Sequence, residues 1–88
     1  MTTDQLENTL TTLSGRARLL EQLPPVENRE QMRRQLGVSL SEFARILGVA
    51  WITAKRIEAG ASIPRGDVLV NAARFYAVAA QGGVEHGA

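Results

Sequence analysis

The stretch SLSEFARILGVAWITAKRIEAG, residues 39–60, constrains this chain more than any other. Phe43, Ala44 and Leu47 share one helical face, Gly48 interrupts the pattern, and Ala54 and Ile57 restart the apolar period on a second helix. Both apolar faces can close on one core. Small residues stand where steric demands are highest: Ala44 where a helix backbone must come close, and Gly48 where the chain needs positive φ to leave a helix. The spacing predicts two short helices joined by a tight turn, which is a helix-turn-helix.

Capping chemistry sets the bounds. Ser39 with Glu42 makes a capping box that opens a helix over Leu40 to Leu47, and the second helix of the pair runs from about Ala50 to Ala59. Upstream, a helix from Val26 to Leu36 has acidic Glu27 near its start and Arg33 and Arg34 near its end, as the helix dipole favours. Pro25 suits its first turn and Gly37 ends it. Met32 and Leu36 are its core contacts, with Val26 as a third candidate. Downstream, the loop Gly60 to Gly66 turns Ile63 inward, and Asp67 N-caps a last helix over Val68 to about Ala80. Leu69, Ala72, Ala73, Tyr76 and Ala79 form its apolar stripe. Phe75 and Val78 lie beside that stripe, where they can extend the core, cover another helix or make a second dimer surface. Residues 81–88 carry no pattern and read as a flexible tail.

Residues 4–23 read as an amphipathic helix, with Asp4 and Glu7 as a capping-box-like start. Leu6, Leu10, Leu13, Ala17 and Leu20 recur at alternating spacings of four and three, an a/d heptad seam. Gly15 and several threonines lower helix propensity, so this helix is marginal in water unless it buries its seam. Three surfaces can cover it: its own domain, a second copy in a homodimer, or another protein. Pro24 and Pro25 stop the helix and fix an extended joint. The expected organisation is residues 1–25 as this helix and joint, 26–80 as the helix-turn-helix domain, and 81–88 as the tail.

Composition excludes several chemistries. The 88 residues support one domain with a modest core, and no cysteine is present for disulfides, thiolate metal sites or Cys nucleophiles. His86 is the sole histidine, so no histidine dyad exists; neither a metal nor any other cofactor is expected. No apolar run approaches a membrane span, and the N-terminus lacks the marks of a leader, so the expectation is a cytoplasmic protein. Arg outnumbers Lys heavily, and Ala, Gly and Val are frequent, as in a GC-rich bacterial genome. The net charge of +1 hides an uneven distribution. Arg29, Arg33, Arg34, Arg45, Lys55, Arg56 and Arg65 outweigh Glu30, Glu42 and Glu58 between residues 28 and 66, while both flanks are acidic. A basic module between acidic flanks is the electrostatic footprint of a phosphate-binding face.

The run Leu40, Phe43, Ala44, Leu47, Gly48, Val49, Ala54 and Ile57, followed by Glu58 and Gly60, resembles the lambda-repressor-like (Xre-type) helix-turn-helix family across roughly residues 28 to 80. The resemblance implies an all-α fold: a compact helical bundle with a helix-turn-helix, here with an added N-terminal amphipathic helix. It implies that the first residues of the second motif helix enter the DNA major groove, where Trp51, Ile52, Lys55 and Arg56 match the base-contacting positions. The chemistry is intelligible. Lys55 or Arg56 can donate to guanine O6 and N7, while Trp51 and Ile52 can pack on thymine methyls or sugar carbons. The alternative for Trp51 is to fold back on Ile63 and Pro64. Ser39, Arg45, Thr53, Ser62 and Arg65 are the candidate phosphate contacts. Arg33 and Glu58 match a structural ion pair of the family. Three positions depart from its pattern: Leu40 stands where a Gln usually contacts the DNA backbone, Ala50 where a Ser or Thr usually caps, and Ala54 where Val or Ile usually packs.

Taken together, these features predict a DNA-binding transcription regulator: a repressor occupying a palindromic operator in double-stranded DNA as a homodimer, as compact phage or plasmid repressors do. A second reading is an antitoxin-like module, whose N-terminal helix neutralises a protein partner while the helix-turn-helix autoregulates. An enzyme is the weakest reading, since no convergent acid-base set exists.

Overall fold

The computed structural model describes residues 2–85, apart from the side chains of residues 7–11, 13 and 82–85. Five α-helices follow one another, and no strand occurs among the described residues: α1 (Thr3–Glu21), α2 (Val26–Gln35), α3 (Leu40–Leu47), α4 (Trp51–Glu58) and α5 (Gly66–Glu85). The fold is an all-α helical bundle built on a helix-turn-helix.

Phe43, Ala44 and Leu47 of α3, Ala54 and Ile57 of α4, and Leu69, Ala72, Ala73, Tyr76 and Ala79 of α5 are all buried. Packing, rather than length, holds the eight-residue helices α3 and α4, each too short to persist alone. Phe75 joins this core. Its ring centroid lies 4.8 Å from that of Phe43 and 5.2 Å from that of Tyr76, in tilted and edge-to-face arrangements that suit the aromatic quadrupole. Val78, three residues on, points to solvent. Met32, Leu36, Val38 and Leu40 lean on the core as partly buried neighbours. Val26 is more exposed, because α2 starts at the rim where α4 ends.

Three helices end alike. Gly37, Gly48 and Gly60 each take positive φ, and at each the glycine amide and the one after it donate back to carbonyls of the last turn. Between α3 and α4, Gly48 has φ 79° and Val49 donates to the Ala44 carbonyl at 3.0 Å, so the turn is tight and its polar groups are satisfied. The Asn71 side chain of α5 donates to the Leu47 carbonyl at 3.2 Å, tying the same turn to the last helix.

Several local details differ from the sequence expectation. The capping box of α1 is Thr2 with Gln5, not Asp4 with Glu7. Both pairs satisfy the same four-residue pattern, and a start two residues earlier adds further backbone hydrogen bonds to the helix. Pro25 is the N-cap of α2 rather than its first helical residue. Ile63 does not turn inward: it is 61% exposed, and Pro64 fills the inner position of the loop instead. Asp67 lies within the first turn of α5, which begins at Gly66, so its carboxylate acts on the helix dipole rather than as the cap. Helix α5 also continues to Glu85, past Ala80, because propagation adds one hydrogen bond per residue once the helix is nucleated.

The heptad seam of α1 is divided. Helix α1 packs against α5, with Arg16, Leu19 and Leu20 half-buried towards its C-terminus, while Leu6 and Ala17 are exposed. Leu10 and Leu13 lie outside the described side chains.

Candidate nucleic-acid interface

Helix α4 buries only Ala54 and Ile57, and that choice dictates what faces out. At 3.6 residues per turn, an inner stripe of 54 and 57 is flanked by 53 and 58, which are half-buried, and turns 52, 55 and 56 away from the core with 51 to the side. Trp51 is 47% exposed and Ile52 45%, and Lys55 and Arg56 are exposed as well. Trp51 is not among the residues that line the groove around Ile63 and Pro64. Its ring instead carries the Lys55 ammonium, with Nζ 5.2 Å from the ring centroid. A cation over an exposed indole is worth about 0.5–1 kcal/mol, enough to bias both rotamers without immobilising them.

The two ends of α4 differ. Ala50 at the N-cap offers no side-chain hydrogen bond, so the first amides of α4 are left uncapped beside Trp51 and Ile52. At the other end the chain leaves through a Schellman turn: Gly60 donates to the Ile57 carbonyl at 3.1 Å and Ala61 to the Arg56 carbonyl at 2.8 Å. Gly60 is required twice over. Its φ is 76°, and a Cβ there would stand 2.7 Å from Cγ2 of Val26.

Two arginines of α2 close on that end. Arg33 makes a bidentate pair with Glu58, Nε to Oε2 at 2.6 Å and Nη2 to Oε1 at 3.2 Å, and its Nη1 donates to the Val38 carbonyl at 2.8 Å. The two side chains are 10% and 11% exposed, so the pair is nearly out of water. The Glu58 hydrogen bond pushes the Arg33 guanidinium above its ordinary range. Arg29 donates from Nη1 to the Ile57 carbonyl at 2.8 Å and from Nε to the Pro24 carbonyl at 3.0 Å. Beneath them lies the Tyr76 hydroxyl, buried and without a hydrogen-bond partner among the described residues. Burial pushes its pKa up to about 12, against the opposing charge of Arg29.

These contacts sort the basic residues. Arg29 and Arg33 are committed inside the fold, and Arg34 pairs with Glu30 across one helical turn at 2.6 Å. Arg45, Lys55, Arg56 and Arg65 have no carboxylate within ion-pair distance among the described residues. Within residues 26–66 the unpaired positive charge therefore sits on α3, on α4 and on the loop after it, while Arg16 and Arg18 of α1 and Arg74 of α5 lie elsewhere, also without an ion pair among the described residues. Thr53, Ser62 and Arg65 line one groove between α4 and that loop. Ser39 lies apart from them as the N-cap of α3, where its Oγ accepts from the Glu42 amide at 3.1 Å. Leu40 leans on the core, so the side chain at this position is a packing residue.

Sequence reasoning missed Arg29 and Asn71. Arg29 stands four residues before Arg33 and hence on the same face of α2, a signal the spacing does carry. Asn71 stands on the apolar face of α5 with nothing nearby in sequence to name its partner.

No curated protein and no solved structure matches the chain. No helix of the described residues is long and apolar enough to cross a membrane. The family model described as helix-turn-helix matches residues 30–82, from within α2 through most of α5. With that match over most of its length, the chain belongs to the Xre-type, lambda-repressor-like helix-turn-helix family of DNA-binding regulators.

Proposed function

We propose that the protein is a repressor that binds a palindromic operator as a homodimer. Residues 26–80 form the DNA-binding unit, and residues 1–25 supply the dimer seam of Leu6, Leu10, Leu13, Ala17 and Leu20. The observation that carries this reading is the outward face of α4: two large apolar side chains and two cations, exposed together on a helix whose other face is buried. Placed in the major groove, Arg56 donates to guanine, Trp51 and Ile52 meet thymine methyls, and Lys55 either reads a base or stays over the indole. Arg45, Arg65, Thr53, Ser62 and Ser39 take phosphates, giving affinity that falls as salt rises. Dimerisation is supported by the exposed first turn of α1, which leaves Leu6 uncovered within the chain.

Selection from random duplexes with the purified protein at near-physiological salt tests this. The expected outcome is enrichment of an inverted repeat whose half-sites lie about one helical turn apart. Enrichment of a single unrepeated half-site removes the homodimer from the proposal. No enrichment at all, with only salt-sensitive general binding, removes operator recognition. The same uncovered Leu6 supports a second reading, in which α1 engages and neutralises a different protein and DNA binding autoregulates. Under that reading α1 is required for capture of the partner and dispensable for DNA binding.

A further inference from the structure

We infer that Arg29 is a positioning residue for DNA reading, joining the carboxyl end of α4 to the proline joint behind α1 so that the two settle together. The inference rests on α4 being the reading helix, as proposed above.

One guanidinium spans two separate pieces of chain: Nε donates to the Pro24 carbonyl at 3.0 Å and Nη1 to the Ile57 carbonyl at 2.8 Å. The planar fork of arginine holds two donors at a fixed mutual angle, so it fixes the relative placement of two acceptors in a way a lysine ammonium does not. Neither carbonyl is redundant. That of Ile57 also accepts from the Gly60 amide of the Schellman turn, so both its lone pairs are engaged at the point where α4 stops. That of Pro24 lies in a joint stiffened by two prolines, immediately after Leu23, which itself leans on the core.

Arg29 acts on the backbone of α4, whereas Arg33 acts on the Glu58 side chain. Its effect at the DNA face comes from leverage. Trp51 lies about 9 Å along the helix axis from Ile57 at 1.5 Å per residue, so a tilt of about 10° at the held end moves the reading end by about 1.5 Å. A shift of that size is enough to spoil a bidentate contact to a base. The amino end has no side-chain cap of its own to resist it.

The test uses the full chain with Arg29→Met, which removes both donors and one charge but keeps an apolar stem. Arg34→Met on the same helix is the control, removing the same charge from an exposed pair with Glu30. In the absence of DNA, amide hydrogen exchange is expected to quicken together at Ala59 to Ala61 and at Gln22 and Leu23 in Arg29→Met, and to stay unchanged at both places in Arg34→Met. With the selected operator and a scrambled duplex of equal length, the affinity ratio between them is expected to fall about tenfold in Arg29→Met and to hold in Arg34→Met. Loss of general stability alone lowers the folded fraction for both duplexes equally and leaves that ratio where it was. Equal exchange in the two variants, or quickening at only one of the two places, overturns the join. An unchanged ratio overturns the positioning role. If Arg29→Met does not fold, Arg29→Lys, which keeps charge and stem but not the fork, is read in the same way. If the wild type selects no operator, the DNA reading falls by itself, and the exchange measurement still decides whether Arg29 makes the join.

Discussion

At its carboxyl end α4 meets Arg29, the Arg33–Glu58 pair, the Gly60 turn and the rim of α2; at its amino end it meets solvent, with Trp51 and Ile52 uncovered and no side-chain cap. The contrast teaches where eight residues of helix get their orientation and where they are free to meet something else. Buried polar contacts are expensive to break singly, since each lost partner strands the other out of water. Exposed apolar residues cost the fold little when removed, because they contribute little buried area to it.

The comparison can be broken or sharpened by substitution. Glu58→Ala strands the Arg33 guanidinium and is expected to lower stability by about 4 kcal/mol in urea denaturation. A loss under 1 kcal/mol would mean that the pair is effectively solvated. Gly60→Ala combines the cost of a left-handed residue with overlap onto Val26, for a loss of about 3 kcal/mol, while Gly48→Ala, with open space around its Cβ, is expected to lose only about 1. Equal losses at the two glycines would show that Val26 gives way.

Alkali attacks the same end of α4 through Tyr76. The folded-state pKa of its hydroxyl is raised from 10.0 to about 12, so the contribution is fully present below pH 10 and is lost as pH rises through that window. The expected loss is about 2 kcal/mol by pH 12, seen as a falling unfolding midpoint that Tyr76→Phe abolishes. At neutral pH, Tyr76→Phe removes an unpartnered buried hydroxyl and is expected to leave stability equal or about 1 kcal/mol higher. The smallest effect on the fold belongs to the open end. Trp51→Ala is expected to change stability by about 0.5 kcal/mol or less while weakening the selected operator about tenfold, and replacing the operator's thymines by uracil should weaken wild type more than the variant, which keeps Ile52. If stability drops by several kcal/mol instead, Trp51 is part of the core.

The motif helices were legible because two codes agreed on them. Ser39 with Glu42 marks the start of α3, Gly48 marks its end, and Phe43, Ala44 and Leu47 fill the period between, so its observed bounds equal the expected ones. Where only one code spoke, it was ambiguous. Thr2 with Gln5 and Asp4 with Glu7 are equally good capping patterns, and sequence offers no way to weigh them. In the loop after α4 no period exists to orient side chains, so hydrophobicity points Ile63 inward while the rigid Pro64 takes the buried place. The candidate interface was legible as a set of outward positions. The spacing from Arg33 places Arg29 on the inner face of α2, but its partners are not legible, because an arginine bound to backbone carbonyls looks the same in sequence as one bound to water.

The uncovered face of α4 has an evolutionary consequence. Residues that orient the helix and residues that look outward from it do not overlap, since Ala54, Ile57, Glu58 and Gly60 do the first and Trp51, Ile52, Lys55 and Arg56 the second. Drift at the outward positions therefore leaves the fold intact. On the proposed reading of these four sites, paralogues arising by duplication would diverge there one substitution at a time, each intermediate still folded, and so part company in target without rebuilding the scaffold.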